Sequence, residues 1–161
     1  MTRIYQNVYV GTVQDYEDVK DNVNFYIIGA AKEPFHRNAV GYSGRSCGSD
    51  HPEYLYAKRE RLLALNLVDV SDVKFISQKI IETAISAIED AAENNTNVLI
   101  CCNQGRSRSA VIGLLYMKRQ GFYETYSFEE TEKHFKGNVY PEYEPNEGMR
   151  EYARIHWDDC E

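Results

Sequence analysis

The chain has 161 residues, a length typical of one domain. Hydrophobic residues make up 43% of it and charged residues 27%, which are ordinary fractions for a globular protein and exclude a disordered or collagen-like chain. The 25 acidic side chains outnumber the 18 basic ones, so the net charge is −7. This balance excludes a general nucleic-acid or polyanion binder, because no basic stripe is present to neutralise a run of phosphates. A site for a single phosphate needs only local positive potential and is compatible with it.

Location and redox state are predicted from the termini and the cysteines. No apolar stretch approaches the roughly 18 residues that a membrane span requires. Residues 1–6 show no apolar segment of a signal peptide, so we expect a cytoplasmic protein without a membrane partner. No two cysteines have the C-x-x-C spacing of a metal or redox site, and we expect free thiols. The cysteines are Cys47, Cys101, Cys102 and Cys160.

Short apolar runs predict four strands, and the last has the continuous apolar character of a parallel strand covered on both faces. These runs cover residues 7–11, 23–28, 63–68 and 98–101. Residues 30–53 differ, because they are rich in glycine, proline and polar side chains. They predict a long loop, and such a loop inside a compact domain is usually functional.

Helical periodicity alternates with these strands. Apolar residues recur at helical steps over residues 76–92 and 109–120, and Ser127 with Glu130 forms a capping-box pattern that opens a short helix closed by Gly137. A last helix is predicted over residues 147–157. The alternation indicates one α/β domain over residues 1–161, with a mostly parallel central sheet flanked by helices.

The segment from Cys102 to Ser109 carries the chemistry. It contains the C-x5-R pattern: Cys102 ends an apolar strand, Gly105 lies in mid-loop, and Arg108 begins a helix. A tight loop between a strand and a helix turns successive backbone N–H groups inward, and the helix N-terminus adds a positive dipole end. Such a loop suits a tetrahedral oxyanion, so we expect this phosphate-binding set: Asn103, Gln104, Gly105, Arg106, Ser107 and Arg108.

Three side chains in this segment are candidate catalytic residues. Arg108 is placed to bind two phosphate oxygens bidentately, which a lysine cannot do. Cys102 lies in the same positive field, which favours the nucleophilic thiolate. Ser109 is placed to donate a hydrogen bond to the sulfur when it becomes the leaving group. Cys102 as an ordinary strand-end thiol and Arg108 as a surface ion-pair residue are the alternatives.

The run I-C-C-N-Q-G-R-S-R-S resembles the signature loop H-C-x-x-G-x-x-R-S of cysteine-dependent, dual-specificity-type protein tyrosine phosphatases. The matching positions are Cys102, Gly105, Arg108 and Ser109. Residues 7–11, 65–69 and 145–149 are similar to the family's opening strand, its strand before the general acid and its closing P-N-x-G helix. Residues 51–59 resemble small bacteriophage or prophage members. The likeness covers most of the chain except the loop from Lys32 to about Asp50.

The resemblance implies a phosphotyrosine-phosphatase-like fold and a two-step mechanism without metal or other cofactor. The cysteine thiolate attacks phosphorus, an aspartic acid protonates the leaving oxygen, and the same carboxylate then activates water. Asp69 and Asp72, both about thirty residues before Cys102, fit the position of the acid. One departure is Cys101, which stands where the family has a histidine. It is either a core residue or a thiol that traps an oxidised Cys102 as a disulfide.

These features predict a phosphatase of phosphorylated proteins or peptides, in the host cytoplasm if the gene belongs to a phage. Two other functions fit the same scaffold: a phosphatase of a nucleotide, an RNA 5′ end or a phosphoinositide, and a phosphate-binding pseudophosphatase. Polyanionic substrates call for extra cations in the loop, and here only Arg106 is available, either as a ligand or as a solvated charge. His36, Arg37, Arg45 and His51 of the long loop are candidates for the substrate entrance.

Overall fold

The computed structural model describes residues 1–159, which build one six-stranded sheet with helices packed against it. The strand order is β1-β2-β6-β3-β5-β4. The strands are β1 (Thr2–Tyr5), β2 (Val8–Thr12), β3 (Phe25–Gly29), β4 (Tyr56–Lys58), β5 (Leu62–Leu65) and β6 (Asn97–Cys102). The four central strands run parallel, whereas β1 and β4 pair antiparallel at the two edges.

The six α-helices lie between or after these strands. They are α1 (Val13–Val19), α2 (Arg37–Val40), α3 (Gln78–Glu93), α4 (Arg108–Arg119), α5 (Phe128–His134) and α6 (Glu147–Ile155). Helix α3 buries an isoleucine-rich stripe that includes Ile81, Ile85 and Ile88, and α4 is buried along most of its length. Within the described residues no helix is long and apolar enough to cross a membrane.

The predicted α/β class and the mostly parallel sheet are confirmed. The capping box also forms, with Glu130 N donating to Ser127 Oγ at 3.1 Å and Ser127 N donating to a Glu130 carboxylate oxygen at 2.8 Å. Helix α5 ends at His134, before Gly137, because the chain continues as a wider turn over Phe135–Val139. The loop predicted over residues 30–53 is partly helical, since it contains a turn over Lys32–His36 followed by α2.

The parallel strands place the chemistry at one edge of the sheet. Strands β2, β3, β5 and β6 share a direction, so their carboxyl ends meet there, as is usual for binding sites in open α/β sheets. Strand β6 is central and contributes Cys102 as its last residue, while β2 contributes Thr12 directly beside it. The loop after β6 therefore opens between the ends of its neighbours.

Candidate active site

The loop between β6 and α4 forms one wall of a cavity of about 460 Å³. The side chain of Cys102 is 2% exposed, and its Sγ lies 3.1 Å from Ser109 Oγ in a hydrogen bond that either atom can donate. Ser109 is fully buried, and its Oγ also donates to the carbonyl oxygen of Gly11 at 3.4 Å. The hydroxyl has one proton, which can turn from the Gly11 carbonyl oxygen to the sulfur when the sulfur is a thiolate.

Gly105 allows the loop to turn. Its φ of +70° lies in the left-handed region, and a Cβ there would stand 2.9 Å from Tyr140 Oη and 3.0 Å from Gly11 O. The Tyr140 hydroxyl donates to the Gly105 carbonyl oxygen at 2.6 Å, so this oxygen already has a hydrogen-bond partner. Burial raises the pKa of Tyr140 well above its ordinary value, so this hydroxyl remains a donor.

The N-terminus of α4 is open toward an anion. Ser107 is the N-cap residue, but its side chain makes no capping hydrogen bond to the first turn of the helix. Its hydroxyl instead donates to Asp69 Oδ1 at 2.9 Å and accepts from Asn146 N at 2.8 Å. The first amides of a helix have no intrahelical partner, so this arrangement leaves them available for an oxyanion.

Arg108 is oriented by the segment that follows β5. Its Nη1 donates to the carbonyl oxygen of Leu67 at 3.1 Å. Its Nε is buried and has no hydrogen-bond partner among the described residues. A buried guanidinium nitrogen without an acceptor carries an energetic cost unless a ligand supplies one. The side chain lines the cavity and fits a bidentate contact with a phosphate or similar oxyanion.

The two candidate acids lie in different surroundings. Asp69 lines the cavity beside Cys102 and receives the Ser107 hydrogen bond. Asp72 is not among the residues that line the cavity; its carboxylate accepts from Lys74 N at 3.0 Å, at the start of a short 3-10 turn over Val73–Phe75. Position alone therefore favours Asp69 for chemistry at Cys102.

Most of the other sequence candidates also reach this cavity. Its walls include the predicted Asn103, Gln104, Arg106 and Ser107 together with Glu144, Pro145 and Asn146. The last three were not predicted as site residues, because they lie far from the C-x5-R segment in the sequence. The P-N dipeptide was their only signal, and Asn146 does cap α6, accepting from Glu147 N at 2.8 Å.

The four loop residues considered as candidates for the substrate entrance do not line this cavity. His36 is fully buried, with Nε2 2.7 Å from the Glu53 carbonyl oxygen and Nδ1 3.0 Å from Tyr42 Oη. Arg37 pairs with Glu33 and also donates to backbone carbonyls of the same loop. Both side chains are therefore used to hold the loop itself. Arg45 and His51 are likewise not among the cavity-lining residues.

Comparison with known proteins identifies the fold. No protein-family model matches the chain, and no curated protein matches it significantly. Solved structures do match. The DUSP15 structure has a TM-score of 0.68 at 19% identity, covering 100% of this chain and 90% of that one. Human DUSP28 has a TM-score of 0.62 at 18% identity and covers 100% of both chains. The fold is that of the dual-specificity phosphatases.

A third neighbour is named as phosphatase-like and not as a phosphatase. The human tyrosine phosphatase-like serine/threonine/tyrosine-interacting protein has a TM-score of 0.61 at 14% identity, with 98% of this chain and 97% of that one covered. A phosphatase-like protein and proteins named as phosphatases thus share one architecture. The function of this chain must therefore be argued from its own side chains.

Proposed function

We propose that this protein is a cysteine-dependent phosphomonoester hydrolase of the dual-specificity type that acts on phosphorylated proteins or peptides. The arrangement of Cys102 carries the proposal. Its thiol contacts Ser109 and opens onto a cavity that also contains Arg108 and the uncapped start of α4. A nucleophile, a bidentate cation and a set of free amides around one space are the elements that transfer of a phosphoryl group requires.

The reaction proceeds in two displacements. The Cys102 thiolate attacks phosphorus and forms an S–P bond while the P–O bond to the leaving group breaks, and Asp69 gives its proton to that oxygen. Water then attacks the cysteinyl phosphate, Asp69 takes a proton from the water, and the S–P bond breaks to release phosphate. Ser109 donates to the departing sulfur, from which it lies 3.1 Å away.

The surrounding groups hold the charge of the transition state. Arg108 and the amides of the 103–108 loop are fixed before substrate arrives, so they stabilise negative charge with little reorganisation. The Ser107 hydroxyl bonds to the Asp69 carboxylate, and both side chains line the cavity. These contacts support Asp69 as the general acid and base, with Asp72 outside the reaction.

A reducing compartment suits this chemistry. Cys47, Cys101 and Cys102 are free thiols within the described residues, and Cys160 lies outside them. A thiolate nucleophile survives in a compartment where disulfides are kept reduced. We accordingly propose the cytoplasm as the site of action, that of the host cell if the protein is phage-encoded, as its sequence resemblance suggests.

The test is hydrolysis of p-nitrophenyl phosphate in EDTA with fresh reductant. We expect turnover by the wild type and by Cys47→Ser, and no turnover by Cys102→Ser. Cys47 is a matched control because it is a free cysteine that does not line the cavity. Vanadate binding without turnover would instead make the protein a phosphate-binding pseudophosphatase. If the wild type shows no turnover and binds no oxyanion, the proposal is refuted.

A further inference from the structure

An ion pair spans the mouth of the cavity. Arg106 and Glu144 both line it, with Arg106 Nη1 3.8 Å from Glu144 Oε2. The two backbones are also joined, since Glu144 N donates to Arg106 O at 2.9 Å. Their side chains are 59% and 71% exposed, so they stand at the rim and Cys102 lies at the buried floor. Groups at this rim meet the part of a substrate that flanks its phosphate.

The pair changes the charge that a substrate meets. The ionisable carboxylates and guanidiniums that line the cavity are Asp69, Glu144, Arg106 and Arg108. Arg108 faces the floor, where a phosphate binds, and the charge of Arg106 is offset by the carboxylate next to it. A second phosphate at the rim would therefore meet an ion pair and not a free arginine. Polyanionic substrates gain little attraction from such a mouth.

The carboxylate of Glu144 has room for a second cation. Its distance to Arg106 is at the long end for an ion pair, and most of the side chain faces solvent. A carboxylate presents two oxygens and accepts several hydrogen bonds, so one arginine does not saturate it. The net charge of the chain, −7, also attracts a basic peptide and repels an acidic one before contact.

We infer that Glu144 is a specificity-determining residue that selects phosphopeptides with a lysine or arginine next to the phosphorylated residue, through an ion pair at the cavity rim. This inference rests on the proposed phosphatase function and names its substrate class. Exposed ion pairs are weak, so we expect about a two- to fivefold preference in kcat/KM for basic over neutral flanks. The preference should shrink as salt is added, since both charges are exposed.

The experiment uses three phosphotyrosine peptides of one sequence that carry lysine, glutamine or glutamate on both sides of the phosphotyrosine. The kcat/KM ratios among the three are measured for the wild type, Glu144→Gln, Glu144→Lys and Glu142→Gln. Glu142 is the matched control, because it is an exposed glutamate two positions away that does not line the cavity. Ratios are compared within each variant, so a change in overall activity does not enter.

We expect the wild type and Glu142→Gln to prefer the lysine peptide, Glu144→Gln to lose most of this preference, and Glu144→Lys to prefer the glutamate peptide. Equal ratios in the wild type and both Glu144 variants would overturn the inference, as would a wild type that prefers glutamate flanks. In either case, turnover of p-nitrophenyl phosphate by the wild type would leave the proposed function standing. A wild type inactive on every substrate would refute both.

Discussion

The hydroxyl of Ser107 donates a hydrogen bond to Asp69 Oδ1 at 2.9 Å, although 38 residues separate them in the chain. Ser107 Oγ also accepts a hydrogen bond from Asn146 N at 2.8 Å. The Ser107 side chain therefore connects the loop between β6 and α4 with the segment after β5 and with the start of α6. Because the Ser107 hydroxyl bonds to these partners, it does not cap α4. The same contacts therefore leave the first amides of α4 uncapped and hold the Asp69 carboxylate in place.

Replacing Asp69 should slow phosphotyrosine hydrolysis far more than replacing Asp72. Asp69→Asn keeps an oxygen that can accept from Ser107 but removes the transferable proton, and general acid–base groups contribute about 100-fold or more. The loss should appear in kcat on a phosphotyrosine peptide, with a smaller loss on p-nitrophenyl phosphate, whose leaving group needs less protonation. Asp72→Asn is the control and should stay near wild type. A larger loss in Asp72→Asn would reassign the acid.

Gly105→Ala should deform the phosphate loop. The substitution places a Cβ 3.0 Å from Gly11 O at a φ of +70°, and left-handed strain in a residue other than glycine costs about 1–3 kcal/mol. We expect a lower midpoint of urea unfolding and weaker vanadate binding. Gly137→Ala is the matched control, because a Cβ at Gly137 has nothing within 4 Å. Equal vanadate affinity in both variants would contradict the role assigned to Gly105.

Stability should fall on acidification because of His36. Burial lowers the pKa of His36 below its ordinary value, so near pH 6 the unfolded chain binds a proton that the folded chain does not. The free energy of unfolding should therefore rise with pH across the window just below about 6.5, the ordinary histidine pKa, and level off above it. Urea unfolding from pH 5 to 7.5 measures this.

His36→Gln should flatten that dependence, since it removes the titrating group while an amide can still bond to Glu53 O. The control is His51→Gln, because His51 is an exposed histidine in the same loop. If the wild type and His36→Gln showed the same slope between pH 5 and 6.5, His36 would not be the group responsible.

Cys101 should resist alkylation in the folded protein. It is fully buried, and burial raises the pKa of its thiol well above the ordinary value, with the neighbouring Cys102 adding to the effect. Its Sγ donates to the Ile28 carbonyl oxygen at 3.7 Å. In Cys102→Ser, we expect iodoacetamide to modify Cys101 roughly tenfold or more slowly than Cys47. Peptide mass spectrometry measures both rates, and comparable rates would show that Cys101 is accessible enough to trap an oxidised Cys102.

The long regular elements could be predicted from the sequence because their burial imposes a period. Helix α3 repeats isoleucine and alanine at helical steps, and β6 is apolar throughout because it lies between two parallel neighbours. Predicted ends differ by one to three residues: the strand predicted over residues 63–68 ends at Leu65, and α5 ends at His134 instead of Gly137. The helix predicted from Ile76 begins at Gln78, after Ser77 caps Ile80 N.

The edge strands were missed because their sequences carry little pattern. Strand β4 has three residues and β1 has four, with threonine and arginine among them. Both pair on one side only, so they need no continuous apolar run. Helix α1 was also missed, although Thr12 and Asp15 form a capping box that the sequence displays as T-x-x-D.

The site residues also fall into two groups, those within one local unit of the chain and those that tertiary packing brings to it. Cys102, Ser107 and Arg108 are local to one strand–loop–helix unit, so their spacing, taken together with the apolar strand before them and the helix after them, predicts that they lie around one space. Tyr140 and Glu144 reach it from a segment that wraps around after α5, and no periodicity in the sequence encodes that path. Contacts of this kind depend on tertiary packing and emerge only from the folded chain.

The close approach of Gly148 to Val70 determines how the segment that bears Asp69 can behave. Gly148 N donates to Val70 O at 3.1 Å, and no larger residue fits, because a Cβ at Gly148 would overlap that carbonyl oxygen. Asn146 Nδ2 also donates to Asp69 O at 3.2 Å, so the backbone is held at the proposed acid and at the residue that follows it. A swinging lid would have to break these bonds at each turnover. We therefore expect the segment to keep one position, so that substrate enters and phosphate leaves without a gating motion.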